Sequence, residues 1–316
     1  MSWQRKLKII VKGRLVQDEP LSNHTTFKIG GKADCWVEPR DLSDLRKILI
    51  FAKKHKISVL LIGNGSNLLV KDKGIKGIVI SLEQPLFKQV KIVNNNLHIG
   101  AGLDLSGLVK IAQKNGLSGI EFLIGIPGTV GGAILMNAGV RADCLGINRY
   151  LSIGDLVQNI EVLKLDGSLV TLRKKDLRFS YRACNLDKFI IIAATLKLKP
   201  KNRAAIKKTM QKFWQYKKLR QEWKLPNAGC VFKNPLLNSS LRNRQPLLSA
   251  GQLIDLCGLK GLSRGGAVVS QMHANFILNN GNAKAKDVLD LMKVIQDKVK
   301  QRYNLNLIPE IKIVGQ

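Results

Sequence analysis

Two glycine-rich segments hold the residues most suited to chemistry: Gly63-Asn64-Gly65-Ser66-Asn67, led in by Ile62, and Gly125-Ile126-Pro127-Gly128-Thr129-Val130-Gly131-Gly132. Glycine lacks a Cβ, so its backbone reaches φ > 0 and its N–H groups come close to a ligand. Successive inward N–H groups make an anion nest, which suits a pyrophosphate. Two such loops in one chain therefore point to a large phosphorylated cofactor. Either loop alone reads equally well as a tight turn. Together, and with Asn67 and the Met136-Asn137-Ala138-Gly139 that follows the second loop, they favour binding. Neither is the common dinucleotide fingerprint, because Leu68 stands where the third glycine belongs. No Gly-Lys-Ser/Thr follows either segment, so a P-loop is excluded.

The second half offers a thiol and a carboxylate. Cys230 lies in Gly229-Cys230-Val231-Phe232-Lys233-Asn234-Pro235. Lys224 and Lys233 would favour its thiolate if they lie close, yet on local evidence a small buried hydrophobe is the commoner fate of a free cysteine. Glu310, in Pro309-Glu310-Ile311-Lys312, must be exposed, paired or perturbed, and a surface position is the simplest expectation. Tyr181-Arg182 forms no motif by itself. The five cysteines are widely spaced with no C-x-x-C, which argues for reduced thiols and against a zinc, redox or other metal centre.

These groups must be placed by a chain of 316 residues, enough for two domains, with 45% hydrophobic content. No apolar stretch approaches a membrane span of about 20 residues, and the apolar run Ile9-Ile10-Val11 is too short for a signal-peptide core. A cytoplasmic, monomeric protein is expected. The net charge of +30 raises nucleic-acid binding. The basic residues are mostly lysines spread singly through both halves, and aromatics are only 5%. A solvated lysine-rich surface that attracts anionic small molecules is the better reading.

The pattern of elements alternates early. Asp41 reads as the N-cap of a helix with Leu42, Leu45, Ile48, Leu49 and Ala52 on one face. Val59–Ile62 reads as a buried strand that delivers the first glycine loop, and Ile75–Leu82 as another strand. Val90–Val93 and Leu97–Ile99 form a hairpin. Leu105–Asn115 is helical, closed by Gly116. Ile160–Leu165 and Ser168–Leu172 form a hairpin around Asp166-Gly167, for which a type I′ turn is expected. Phe189–Leu198 is a strand that Pro200 ends. A basic helix follows, with Ile206, Met210, Phe213 and Trp214 as its apolar face, and Ala285–Tyr303 is a further helix. A domain boundary is expected near residue 199.

At this point the motifs assemble. Asn23 to Ala33, Gly63 to Leu69, Gly125 to Gly139, Ser180-Tyr181-Arg182, Ala228 to Pro235, Ala250 to Gly261, His273 to Asn279 and Pro309-Glu310 together resemble the UDP-N-acetylenolpyruvoylglucosamine reductase family. The resemblance runs from about residue 20 to 316 in the family's order, and the short spacing from Arg182 to Cys230 resembles its compact branch. It implies a mixed α/β (α+β) chain. Residues 1–19 would be an N-terminal extension, and 20–198 an FAD-binding domain of the p-cresol methylhydroxylase/vanillyl-alcohol oxidase type. That domain would have subdomains at about 20–82 and 83–198, with an α/β substrate-binding domain at 199–316.

The resemblance also implies non-covalent FAD held by Ile62, Gly63, Asn64, Gly65, Ser66, Asn67, Gly125, Pro127, Gly128, Thr129, Gly131, Gly132, Asn137 and Gly139. NADPH and UDP-N-acetylglucosamine enolpyruvate are the implied substrates, in peptidoglycan precursor synthesis. Arg182 and Glu310 match the positions that stabilise the charged intermediate, and Cys230 the proton donor, which is usually serine. Tyr181, Lys218, Lys233 and Asn234 would bind substrate. Two further departures are Glu222 where relatives usually have proline, and Ala183-Cys184 where a serine often follows. Two rival readings are another flavin oxidase of this fold, often with covalent FAD, and a basic nucleic-acid-binding protein on a decayed flavin fold.

Overall fold

The computed structural model describes residues 2–235 and 248–316. It divides into two compact units, one made of Met1–Glu19, Ala33–Asn64 and Lys76–Leu219, the other of Pro20–Lys32, Gly65–Ile75 and Arg220–Gln316.

In the first unit, helix α1 (Trp3–Ile10) buries Leu7 completely. Just behind it, the N–H groups of Lys12 and Gly13 donate to the Asp44 carboxylate at 3.0 and 2.9 Å, and Arg40 N–H adds a third bond at 2.9 Å. Asp44 lies in the first turn of α2 (Leu42–Lys54), where Asp41 caps the helix as its sequence position suggests. A carboxylate that gathers several main-chain donors at a helix N-terminus is held by those bonds and by the helix dipole. The first residues are thereby built into the unit.

One sheet runs in the order Arg14–Pro20, Lys32–Glu38, Ile75–Ile80, Val59–Leu61, with the last two strands parallel. Val59–Leu61 is only partly buried, contrary to expectation, whereas Ile62 at its end is 1% exposed. A second sheet is antiparallel throughout, in the order Leu169–Arg173, Val157–Leu163, Ile190–Lys197, Asn96–Gly100, Val90–Val93. The Asp166-Gly167 hairpin is present, but its turn is not type I′. Only Gly167 has positive φ (83°), and its N–H bonds back to Lys164 O. Lys164 N–H donates to Ser168 O and leaves a three-residue loop, one residue longer than a two-residue hairpin has, so a type I turn ending in a left-handed glycine closes it.

Three more helices complete the unit: α3 (Leu105–Lys114), α4 (Val130–Leu135) and α5 (Arg203–Lys218). The face of α5 differs from the expected one. Ile206, Phe213 and Lys217 are buried, while Trp214 is 42% exposed.

In the second unit, α6 (Ala250–Leu256) starts from a capping box in which Ser249 and Gln252 satisfy each other's N–H groups. α7 (Ala285–Tyr303) buries Val288, Leu291, Ile295 and Val299, as its periodicity requires. Its first N–H groups, on Ala285 and Lys286, donate to the Asp72 carboxylate at 2.8 and 3.0 Å. A three-stranded sheet (Ser263–Arg264, Ala267–Val269, Ile277–Asn279) packs on α7. Lys312–Val314 pairs in parallel with Leu68–Val70. The unit's core joins Phe27, Ile29 and Leu69 to Val231, Phe232, Leu253 and the buried face of α7. Among the described residues no helix is long and apolar enough to cross a membrane.

Candidate functional site

In the first unit the two glycine segments meet. A Cβ on Gly63 would lie 2.5 Å from Thr129 Oγ1, so only glycine permits this approach. Asn64 Nδ2 donates to Asp104 at 2.7 Å, and Asp104 forms a β-bridge with Thr129. Thr129 caps α4 through a bond from Gly132 N–H, and Gly131 packs with its Cβ position 3.0 Å from Ala101. Among the described residues, the N–H groups of Gly63, Asn64, Gly128 and Thr129 donate to no protein acceptor. Four main-chain donors brought together, two of them on glycines, fit a pyrophosphate-bearing cofactor. Ile62 N–H is used by the sheet, on Ile80 O.

Further residues of the second glycine segment are tied into the unit. Gly125 (φ 71°) lies under the Trp214 ring and the Lys217 stem. Asn137 uses both ends of its amide inside the protein: Nδ2 donates to Ser180 O at 2.9 Å and Oδ1 accepts Gly154 N–H at 3.1 Å. It therefore anchors the small hairpin Phe179–Ser180/Ala183–Cys184, whose two turn residues are Tyr181 and Arg182. Arg182 has φ 56°, a left-handed conformation uncommon outside glycine, and turns its side chain back over the unit. Its Nη1 donates to Gly139 O at 3.0 Å and to the Tyr150 hydroxyl at 2.7 Å. The guanidinium carbon lies 6.0 and 5.4 Å from the Tyr150 and Tyr181 ring centroids. Cys184 pairs with Phe179 in the hairpin, and burial pushes its thiol up to about 11. Its role is packing.

Lys218 is exposed, and its neighbour Lys217 is the buried lysine at 4% exposure. Lys217 Nζ donates to Phe122 O at 3.1 Å and Ile124 O at 2.6 Å, at the entrance to the second glycine loop. Burial pushes its pKa down to about 7, against an upward pull from Cys144 and a further downward push from Arg182. Sequence reasoning missed Lys217 and Tyr150. For Lys217 a signal existed, because it continues the 206, 210, 213 stripe at helical spacing. For Tyr150, 32 residues from Arg182, none did.

In the second unit, Gly65 closes on residue 24: its φ is 60° and a Cβ would lie 2.1 Å from His24 O. Two residues on, Asn67 Nδ2 donates to Glu310 O at 3.2 Å, and Asn67 O accepts Lys312 N–H at 2.9 Å. Glu310 N–H donates to Val231 O at 2.7 Å, and Phe232 bridges Pro309. Both main-chain groups of Glu310 are thus fixed, one by a glycine-loop residue and the other by the residue after Cys230. Cys230 bridges Phe276. The buried amide of Asn275 takes both main-chain groups of Phe232, at 3.0 and 2.8 Å. Cys230 is half-buried, and open space stands where a Cβ on Gly229 (φ 77°) would project. His273 packs against Gly251, and burial pushes its imidazole pKa down.

Of the expected substrate residues here, Lys233 is half-buried and Asn234 exposed, with Asn234 Oδ1 accepting Ala250 N–H at 3.0 Å. Glu222, in the place where proline was expected, is explained. Its carboxylate accepts the N–H groups of Trp223 and Lys224 and the Ser270 hydroxyl. Asn227 then ties the segment from Glu222 to Gly229. A turn that proline would stiffen is stiffened instead by hydrogen bonds.

Comparison with known proteins finds two family models along the chain. A family model described as an FAD binding domain matches residues 33–173, and one described as the C-terminal domain of UDP-N-acetylenolpyruvoylglucosamine reductase matches 221–314. The reductase of that name from Bacillus pumilus is 40% identical over 307 residues, covering 96% of this chain and 95% of its own. That from Caldanaerobacter subterraneus is 40% identical over 314 residues, with coverages of 98% and 97%. The solved UDP-N-acetylenolpyruvylglucosamine reductase of Thermus caldophilus has a TM-score of 0.77 and 34% identity, covering 96% of this chain and 99% of that one.

Fold and glycine cradle define an FAD-dependent oxidoreductase, with a flavin-binding domain followed by a separate C-terminal domain. With coverage that spans both domains, the chain belongs to the UDP-N-acetylenolpyruvoylglucosamine reductase family.

Proposed function

We propose that the chain reduces UDP-N-acetylglucosamine enolpyruvate to UDP-N-acetylmuramate with NADPH, in peptidoglycan precursor synthesis. The observation that carries this reading is full-length similarity to reductases of that name, together with the cradle of main-chain donors around Gly63 and Thr129.

Gly63, Asn64, Gly128 and Thr129 would hold the FAD pyrophosphate through N–H groups. When bound, FAD supplies hydride transfer from NADPH to the enolpyruvyl double bond. As hydride adds to the β-carbon, negative charge grows on the conjugated carboxylate. Arg182 is a permanently charged group with a planar donor fork that matches a carboxylate, and a prepositioned cation of this kind lowers the barrier by several kcal/mol. Glu310 serves the same charge as a hydrogen-bonding partner. Its backbone is clamped on both sides, so its side chain emerges from a fixed point. Cys230 returns a proton to the adjacent carbon. A thiol of reference pKa about 8.5 releases a proton far more readily than the alcohol usual in relatives. Tyr181, Lys218, Lys233 and Asn234 are proposed as substrate contacts.

The test is an absorption spectrum of the purified protein. A flavin band that bleaches with NADPH and recovers when the enolpyruvyl sugar nucleotide is added supports the reading. A colourless protein that takes up no FAD refutes it, and a band that bleaches but does not recover refutes the substrate.

A further inference from the structure

We propose that Tyr150 is a positioning residue for Arg182, setting the plane in which the guanidinium meets the substrate carboxylate. The inference rests on the role given to Arg182 above. Tyr150 opens the strand Tyr150–Ser152, which pairs antiparallel with Gly139–Arg141. A Cβ on Gly139 would lie 2.7 Å from Tyr150 Cε1, so the tyrosine ring rests directly on the Gly139 backbone. The carbonyl of that same glycine is the second acceptor for Arg182 Nη1, at 3.0 Å beside the tyrosine hydroxyl at 2.7 Å. Ring, carbonyl and guanidinium thus form one closed arrangement. Tyr181 flanks it, edge-on to Tyr150 at 6.0 Å and 66°.

A phenol suits this task better than a carboxylate would. Its oxygen accepts a strong bond from a cation without bringing the formal negative charge of a carboxylate. The guanidinium is oriented and keeps its full positive charge for an anionic ligand. A carboxylate partner would orient it equally well and cancel that charge. The backbone of Arg182 is fixed by its left-handed turn in the hairpin, and Tyr150 fixes what the backbone leaves open, the far end of a long side chain.

The test compares Tyr150→Phe, Arg182→Lys and the double variant, as flavin-loaded proteins of matched melting temperature. Tyr150→Phe keeps the ring on Gly139 and removes only the hydroxyl. Flavin reduction by NADPH is expected to be unchanged. Reoxidation by the enolpyruvyl substrate is expected to slow about tenfold, the usual effect of losing a hydrogen bond to a charged group. The dissociation constant of UDP-N-acetylmuramate for the oxidised protein, read by flavin fluorescence, is expected to rise by a similar factor. In the Arg182→Lys background, the Tyr150→Phe change is expected to add less than about twofold, because it acts through the arginine.

Each failure has its own signature. Arg182→Lys with normal reoxidation refutes the reading of Arg182 and this inference with it. Arg182→Lys slow but Tyr150→Phe normal refutes the inference alone. Fully additive effects also overturn it, since Tyr150 would then act on the substrate by itself.

Discussion

Lys217 makes the fold depend on pH in a calculable way. Its ammonium group is 4% exposed, and burial depresses its pKa from 10.5 to about 7. Between those values the unfolded chain binds a proton that the folded chain does not. Stability therefore rises with pH across this window, is greatest above the unfolded pKa, and is lost as pH falls toward 7. One proton corresponds to about 1.4 kcal/mol per pH unit.

Lys217→Met keeps the stem against Gly125 and removes both the titration and the bonds to Phe122 O and Ile124 O. Those carbonyls lose their donor at every pH, a cost of about 1–3 kcal/mol each if they stay dry. The titration changes only the wild type, so the gap between the two proteins should widen by about 2–3 kcal/mol from pH 7.5 to pH 9.5. Thermal unfolding of both proteins at the two pH values, in one ionic strength, measures the gap. With both proteins made in a Cys144→Ala background, which removes the thiol coupled to Lys217, the other titrating groups cancel in the difference. A gap that is the same at pH 7.5 and 9.5 would mean that Lys217 keeps its proton in the fold, held by the two carbonyls against burial, and the reasoning fails.

Three other substitutions address the proposed chemistry. Cys230→Ser should retain most of its turnover and become resistant to iodoacetamide, whereas loss of turnover with full flavin content would contradict the donor role. Glu310→Gln should leave flavin reduction by NADPH intact and slow reoxidation by the sugar nucleotide at least tenfold, a loss of about 1.4 kcal/mol or more. Equal slowing of both half-reactions, followed by stopped-flow absorbance, would make Glu310 structural. Gly63→Ala forces a Cβ to within 2.5 Å of Thr129 Oγ1, a misfit of about 1–3 kcal/mol. The purified variant should carry less than half the FAD of the wild type by absorbance ratio, and full occupancy would remove Gly63 from the cradle.

The sequence was most legible where local rules decide the outcome. Asp41 caps its helix, Gly116 (φ 66°) ends another, and the 285–303 stripe is buried as its period requires. It misled where one local rule was applied without its neighbours. Asp166-Gly167 suits a type I′ turn, but Leu165 belongs to the loop as well, and the longer loop prefers a different turn. On α5, Trp214 looks like the apolar residue and Lys217 the polar one. Tertiary context reverses them, because a lysine with two carbonyl acceptors can be buried.

The larger illegibility concerns connectivity. Residues 20–32 and 65–75 cluster with the C-terminal unit, though each lies in sequence between two strands of the first sheet. One consequence is chemical. The first glycine segment divides after Asn64: Gly63 and Asn64 face Thr129, whereas Asn67 reaches the main chain of Glu310. A motif that reads as one phosphate loop thus also holds the backbone of Glu310. The Asn67 side chain is thereby a support for the Glu310 backbone. A short motif fixes backbone shape, but what each side chain touches is decided by partners more than 240 positions away, as Asn67 and Glu310 are.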